Sequence, residues 1–177
     1  MERRISIYLT NLGKYVEGYL VGEWVKLPVD KDKLQEVLTR IGINEQYEEV
    51  FISDYETLLG NLHISEYASI AELNELAEKI DGLADCDYEK LGAVLECESS
   101  MSIAEILEII DELDNFDLLE CVDDYESLAE YYLENGYIFN DVSEQIKSYI
   151  DFQRLGRDII LDGNIYLTSY GAVIDNR

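Results

Sequence analysis

The chain has 177 residues, with 39 Asp and Glu against 13 Lys and Arg and a formal net charge of −26. That balance excludes direct binding to nucleic acid or to anionic membrane surfaces, both of which rely on Lys and Arg facing phosphates. It does not imply disorder, because 47% hydrophobic and 11% aromatic residues, including 14 Tyr, supply enough apolar surface for a core.

Over residues 4–11, Ile5, Ile7 and Leu9 alternate with polar or amphipathic neighbours, which predicts a half-buried strand. After a Gly/Asn turn, residues 16–27 read as a second strand carrying Tyr19, Val21 and Trp24, interrupted by Gly18 and Gly22 and stopped by Pro28. Asp30 to Gly42 reads as a helix. Asp30 caps it, Leu34, Val37, Leu38 and Ile41 fall at helical spacing, and Gly42 ends it. Glu49 to Ser53 forms a third strand, so the first part is a small β-β-α-β unit.

An internal repeat follows. Asp54-Tyr-Glu-Thr-Leu recurs 33 residues later as Asp87-Tyr-Glu-Lys-Leu, and Ser69-Ile-Ala-Glu-Leu recurs as Ser102-Ile-Ala-Glu-Ile. Residues 54–81 and 87–114 agree at eleven of 28 positions, among them Leu58/Leu91 and Leu62/Leu95. A third start, Asp124-Tyr-Glu-Ser-Leu, comes 37 residues after the second. Ankyrin and tetratricopeptide signatures are absent, and each unit reads as two short helices. Asp54, Asp87 and Asp124 (or Asp123) are the expected N-caps, and Ser69 and Ser102 stand three residues before Glu72 and Glu105 as capping boxes. Ile70, Leu73, Leu76, Ala77 and Ile80 form one helix face, with Glu72, Glu75 and Glu78 opposite. In the next unit Ile103, Ile106, Leu107 and Ile110 are expected inside, with Glu105, Glu108, Asp111 and Glu112 outside. Ser143 to Ile160 then reads as one helix, and Gly163 to Ser169 as a terminal strand that adds to a sheet or crosses a dimer.

The charge is concentrated. Residues 1–40 hold 6 acids and 7 bases, and residues 147–177 hold 4 of each. Residues 41–146 hold 29 acids and two bases, Lys79 and Lys90, for a net −27. Like charges at helical spacing cost a few tenths of a kcal/mol per pair, so an all-acidic face is a selected one. Repulsion favours an elongated shape. At the duplex density of one charge per about 1.7 Å, 27 charges correspond to roughly 46 Å, or about 13 base pairs. A charge run ordinarily means a solvated face; against that stand its extent and helical regularity, and the second reading is an electrostatic decoy for a basic DNA groove. Its residues are Glu66, Glu72, Glu75, Glu78, Asp81, Asp85, Asp87, Glu89, Glu105, Glu108, Asp111, Glu112, Asp114, Asp117, Glu120, Asp123, Asp124, Glu126, Glu130 and Glu134.

Other chemistry finds little support. His63 is the single histidine, with no nucleophile set readable around it. Zinc would need that His and all three Cys, without a C-x₂₋₄-C pair. Asp85, Asp87, Glu89 and Glu96 fall at positions 1, 3, 5 and 12 of a calcium loop, but Lys90 occupies the position that requires Gly. A capped acidic helix explains that segment better, and no metal or cofactor is expected. Pro28 is the one proline and no segment is Gly/Ser-rich, which argues against long linkers. No run approaches the ~18 apolar residues of a membrane span, and the start Met1-Glu-Arg-Arg-Ile lacks signal-peptide features. Cys86, Cys97 and Cys121, odd in number and irregular in spacing, read as reduced thiols of a cytoplasmic protein.

The stretch Ile7-Tyr-Leu-Thr-Asn-Leu-Gly-Lys-Tyr-Val-Glu-Gly-Tyr-Leu-Val-Gly-Glu-Trp-Val resembles the opening of ArdA-type antirestriction proteins. Glu49-Val-Phe-Ile-Ser-Asp-Tyr-Glu followed by Ile64-Ser-Glu-Tyr-Ala-Ser-Ile-Ala-Glu-Leu-Asn-Glu-Leu-Ala resembles their next block, and Tyr149-Ile-Asp-Phe-Gln-Arg-Leu-Gly-Arg-Asp fits their C-terminal part. The resemblance implies a non-enzymatic DNA mimic, encoded on mobile genetic elements, that forms elongated homodimers. It also implies binding of type I restriction–modification enzymes, or their methyltransferase core, in the DNA groove. It places the antirestriction motif near residues 123–141, around Tyr131, Tyr132 and Glu134; those two Tyr and Phe139 could equally be core or dimer contacts.

The expected fold is α+β: an elongated chain with the β-β-α-β unit (1–60), an acidic helical domain (61–105) and an acidic helical C-terminal domain with a terminal strand and dimer contacts (106–177). An acidic adaptor or Ca²⁺-binding module for basic partners is the alternative function. A metal-dependent hydrolase stands behind both.

Overall fold

The computed structural model describes residues 3–98, 100–139 and 142–177. The chain is α+β and groups into two compact units. One comprises Met1–Ala84 and Ser100–Ile110, the other Asp85–Ser99 and Asp111–Arg177, so the chain crosses between them three times.

The first unit is built on an antiparallel sheet in which β1 (Ile5–Asn11) is central, flanked by β2 (Gly22–Leu27) and β3 (Val50–Thr57). The alternation in β1 buries Ile5, Ile7 and Leu9 on one face. The expected strand over 16–27 is shorter than its pattern suggests. Asn11 accepts from the Lys14 N–H and caps a single turn, α1 (Leu12–Val16), and pairing with β1 resumes only at Gly22. The helix predicted from Asp30 is α2 (Lys31–Arg40): Asp30 accepts from the Lys33 N–H at 2.7 Å, and Gly42 follows with φ +82°.

The strand expected at 49–53 runs on through Thr57. Tyr8, Ile7, Ser6 and Ile5 pair with Asp54, Tyr55, Glu56 and Thr57, so the backbone groups that a helix start would use are committed to the ladder. The register shift between Tyr8 and Leu9 leaves Ser53 as an extra residue. Asp54 is therefore not an N-cap.

Helix α3 (Ile70–Gly82) does begin as predicted, with Ser69 accepting from the Glu72 N–H at 3.4 Å. It buries Leu73, Leu76, Ala77 and Ile80. Asn74 brackets Val29, accepting from its N–H at 2.9 Å and donating to its carbonyl at 2.8 Å, which ties α3 to the end of β2. Helix α5 (Ile103–Asp111) contributes Ile103, Ile106, Leu107 and Ile109 to the buried set. Ile109 is buried where Ile110 was expected, and Ile110 is half-buried.

The second unit holds helix α4 (Asp85–Cys97) against an antiparallel sheet of β4 (Phe116–Leu119), β6 (Gly171–Asp175) and β5 (Ile165–Thr168), in that order. Asp87, expected as a cap, lies inside the first turn of α4. A short 3₁₀ turn at Leu113–Asn115 leads into β4. Strands β5 and β6 form a tight hairpin, Thr168 pairing with Gly171. Only β5 was predicted.

Helix α6 (Tyr125–Glu134) starts at a reciprocal capping box. The Asp124 carboxylate accepts from the Ser127 N–H at 2.8 Å, and the Ser127 hydroxyl receives the Asp124 N–H at 3.1 Å. The single helix expected over Ser143–Ile160 is broken in two, α7 (Glu144–Lys147) and α8 (Phe152–Asp162), because Asp151 caps the second by accepting from the Arg154 N–H at 3.0 Å. Around Val122, Leu128, Ile165 and Ala172, the half-buried Tyr131, Tyr132, Ile159 and Ile160 complete one core of this unit. Among the described residues no helix is long and apolar enough to cross a membrane.

Candidate functional site

The acidic residues singled out by sequence are displayed by helices whose opposite faces are held in the two cores. On α3, buried residues at 73, 76, 77 and 80 leave Glu72, Glu75, Glu78 and Asp81 exposed. On α5, burial of Ile103, Ile106 and Leu107 leaves Glu105, Glu108 and Asp111 exposed, with Glu112 and Asp114 just beyond. On α4 and α6 the same logic exposes Asp85, Glu89, Glu126, Glu130 and Glu134. Glu66, Asp117, Glu120, Asp123 and Asp124 are exposed on connections and on β4.

Asp87 is the exception among the twenty. It is half-buried, with its carboxylate 4.0 Å from Lys90.

The set falls on both units. Glu66, Glu72, Glu75, Glu78, Asp81, Glu105 and Glu108 belong to the first, the remainder to the second.

Two of these carboxylates are tuned by the caps they form. The N–H and hydroxyl of Ser102 hold the Glu105 carboxyl below its ordinary value, both donating to Oε2 at 2.7 Å. The Ser127 N–H and hydroxyl do the same for Asp124. Near the N-terminus, by contrast, charges neutralise one another locally. Arg40 is held in two-pronged fashion by Glu23 at 2.7 and 2.9 Å with Glu36 at 3.7 Å, and Lys14 lies 3.2 Å from Glu17.

Tyr131 and Tyr132 are half-buried on α6 and meet Tyr137, which follows the helix. Ring centroids are 6.0 Å apart for Tyr131–Tyr137 and 5.2 Å for Tyr132–Tyr137. Burial pushes both α6 hydroxyls up from their ordinary range, and the neighbouring Tyr137 adds to it. Phe139 is exposed with φ +50°. The far end of the motif placed at 123–141 falls on residues 140 and 141, outside the described ones.

The calcium-loop positions Asp85, Asp87, Glu89 and Glu96 all lie on the single helix α4, and Glu96 accepts from the Ser169 N–H at 2.9 Å and hydroxyl at 2.6 Å. Among the described residues no three of His, Cys, Asp and Glu are grouped to hold a metal ion. His63 is exposed and packs edge-on to Tyr55, with centroids 6.5 Å apart. The three cysteines are free thiols, and burial pushes Cys97 up to about 11.

Sequence reasoning missed β4, β6 and α1, and with β4 the placement of Asp117 on a strand. The signal for β6 was available: Gly171-Ala-Val-Ile follows a two-residue connection after β5, a hairpin spacing.

The family model described as antirestriction protein (ArdA) matches residues 7–174 of the chain. No curated protein matches it.

Proposed function

Because the chain belongs to the ArdA family of antirestriction proteins, we propose that it acts as a non-enzymatic DNA mimic, occupying the DNA groove of type I restriction–modification enzymes. The observation that carries this reading is the one-signed surface: residues 41–146 hold 29 acids to two bases, and the candidate carboxylates there are exposed with the single exception of Asp87. A groove that binds DNA gains affinity by replacing the counterions of phosphates, and a rigid array of carboxylates supplies the same exchange without offering bases to read. The helices supply rigidity, since each acidic face is the back of a buried apolar stripe.

The active form in this reading is a homodimer. Like-charged central segments repel, so copies meet through a nearly neutral part, and residues 147–177 offer exposed Tyr149 and Leu161 there. Each monomer replaces the charge of about 13 base pairs and a dimer that of roughly 26.

The test is competition. On the methyltransferase core of a type I enzyme, the protein is expected to displace duplex DNA, and its affinity to fall linearly on a log–log plot against salt. Binding together with DNA, or binding indifferent to salt, refutes the reading.

A further inference from the structure

The second unit contains a cavity of about 400 Å³ in which α4, β4 and the end of α6 meet. Its walls include Tyr131 and Tyr137, Asp117 and Glu120, and the exposed Cys86. The two tyrosine rings stack on one another, 28° from parallel with centroids 6.0 Å apart, and together line the cavity. Asp117 and Glu120 are both exposed; the Tyr131 hydroxyl is raised first by burial, then by Tyr137, and least by the charge of Asp117. Lys90 also lines the cavity, but its ammonium donates to the Leu113 carbonyl at 3.4 Å and lies 4.0 Å from Asp87.

An aromatic face beside carboxylates selects a cation. A planar guanidinium suits it better than an ammonium, because it stacks on a ring while its N–H groups reach carboxylate oxygens in pairs. The chain uses the same arrangement within itself. The Arg177 guanidinium carbon sits 4.6 Å from the Phe116 ring centroid while its Nε and Nη2 bond the two oxygens of Asp175 at 3.0 and 2.8 Å. The Lys14 ammonium sits 4.2 Å from the Tyr47 ring centroid beside Glu17.

We propose that this cavity receives an arginine side chain of the protein partner, packed against the tyrosine pair at the exposed Tyr137 and paired with Asp117 and Glu120. The proposal rests on the DNA-mimic reading and adds to its distributed field one fixed point with a chemical preference. The restriction enzyme's groove supplies the arginine, because a phosphate-binding surface is built from such residues.

The test uses the full chain with Cys97→Ala and Cys121→Ser, leaving Cys86 as its thiol. Acetylated tetra-arginine and tetra-lysine peptides carry equal charge and serve as probes. Tetra-arginine is expected to bind about threefold to tenfold more tightly and to slow alkylation of Cys86, where tetra-lysine at equal occupancy does not. Tyr137 is exposed, so Tyr137→Leu leaves the fold in place and is expected to remove the preference, lowering tetra-arginine affinity more than tetra-lysine affinity. Tyr137→Phe keeps the ring and is expected to retain it, and Asp117→Asn with Glu120→Gln to weaken it.

Equal binding of the two peptides to the parent protein overturns the proposal, as does a preference that survives both Tyr137→Leu and the double amide variant. Competition with DNA on the methyltransferase core, run on the same proteins, separates the two ideas. Intact salt-dependent competition without arginine preference refutes the cavity alone, whereas lost competition refutes the reading beneath it.

Discussion

Gly156 on α8 lies against the backbone at the start of α6, and its substitution has a sign that the structure determines. A Cβ there would lie 1.8 Å from the Tyr125 carbonyl oxygen, 2.5 Å from its carbon and 2.8 Å from its Cα. Ordinary contact begins at 3.4 Å, so the shortfall is about 1.6 Å. Both surfaces are backbone, and no rotamer change relieves the clash. Helix α8 must withdraw and loosen the packing of Ile159 and Ile160 against the core around Leu128 and Ile165. Overpacking with mobile side chains costs about 1–3 kcal/mol, and a backbone-on-backbone clash belongs at the upper end, about 3. Helix propensity works the other way, favouring Ala over Gly by up to about 1 kcal/mol. The net loss of about 2–3 kcal/mol corresponds to a drop in thermal midpoint of about 4–12 °C for a chain of this size. Gly82→Ala is the control: nothing lies within 4 Å of its Cβ position, so it should hold or raise the midpoint. A Gly156→Ala protein that melts at or above the parent temperature refutes the packing described.

Leu91→Ala should cost about 2–5 kcal/mol in urea unfolding, because Leu91 is 0% exposed, while Leu58→Ala, at 63% exposed, should change stability by less than about 0.5. Equal effects would restore the two as equivalent repeat positions. The Glu105 carboxyl is held below 4.5, so its stabilising bonds are present above that pH and are lost as pH falls through the lower folded value. The stability gap between parent and Glu105→Gln should therefore be open at pH 7 and close below pH 4.5; a gap independent of pH would contradict the assignment. Changing Glu72, Glu75, Glu108 and Glu112 together to Gln should weaken competition with DNA and flatten its salt dependence, the more so the more of them pair with groove cations. Abolition of activity by one of them alone would instead point to a localised site.

Much of the architecture was legible where local signals and tertiary packing agree. The caps at Asp30, Ser69, Ser102 and Asp124, and the apolar stripes behind them, read directly from spacing because helix start and buried face point the same way. The pentapeptides beginning at Asp54 and Asp87 show why the rest was not. One is strand and the other lies in a helix, with Leu58 exposed and Leu91 buried, although the letters nearly match. Strand pairing with Ile5–Tyr8 decides the first, and no window around residue 54 contains that partner. Strand β4 was hidden for the same reason, since its register comes from β6, more than fifty residues further on. Of the candidate surface, exposure of the carboxylates followed from helical periodicity. The meeting of Asp117 and Glu120 with Tyr131 and Tyr137 did not, because it depends on a strand and a helix converging.

The threefold passage of the chain between its two units bears on how the molecule responds to cutting. A break between α4 and α5 yields one piece that ends with a helix of the second unit and another that begins with a helix of the first. Each unit is then assembled from both pieces: Leu91, Val94 and Leu95 on one fragment complete the second, and Ile103, Ile106 and Leu107 on the other complete the first. The halves can part only by opening two apolar cores at once. A protease nick at that junction should therefore leave a protein that elutes whole until denatured, and the two fragments, produced separately, should reconstitute one another on mixing.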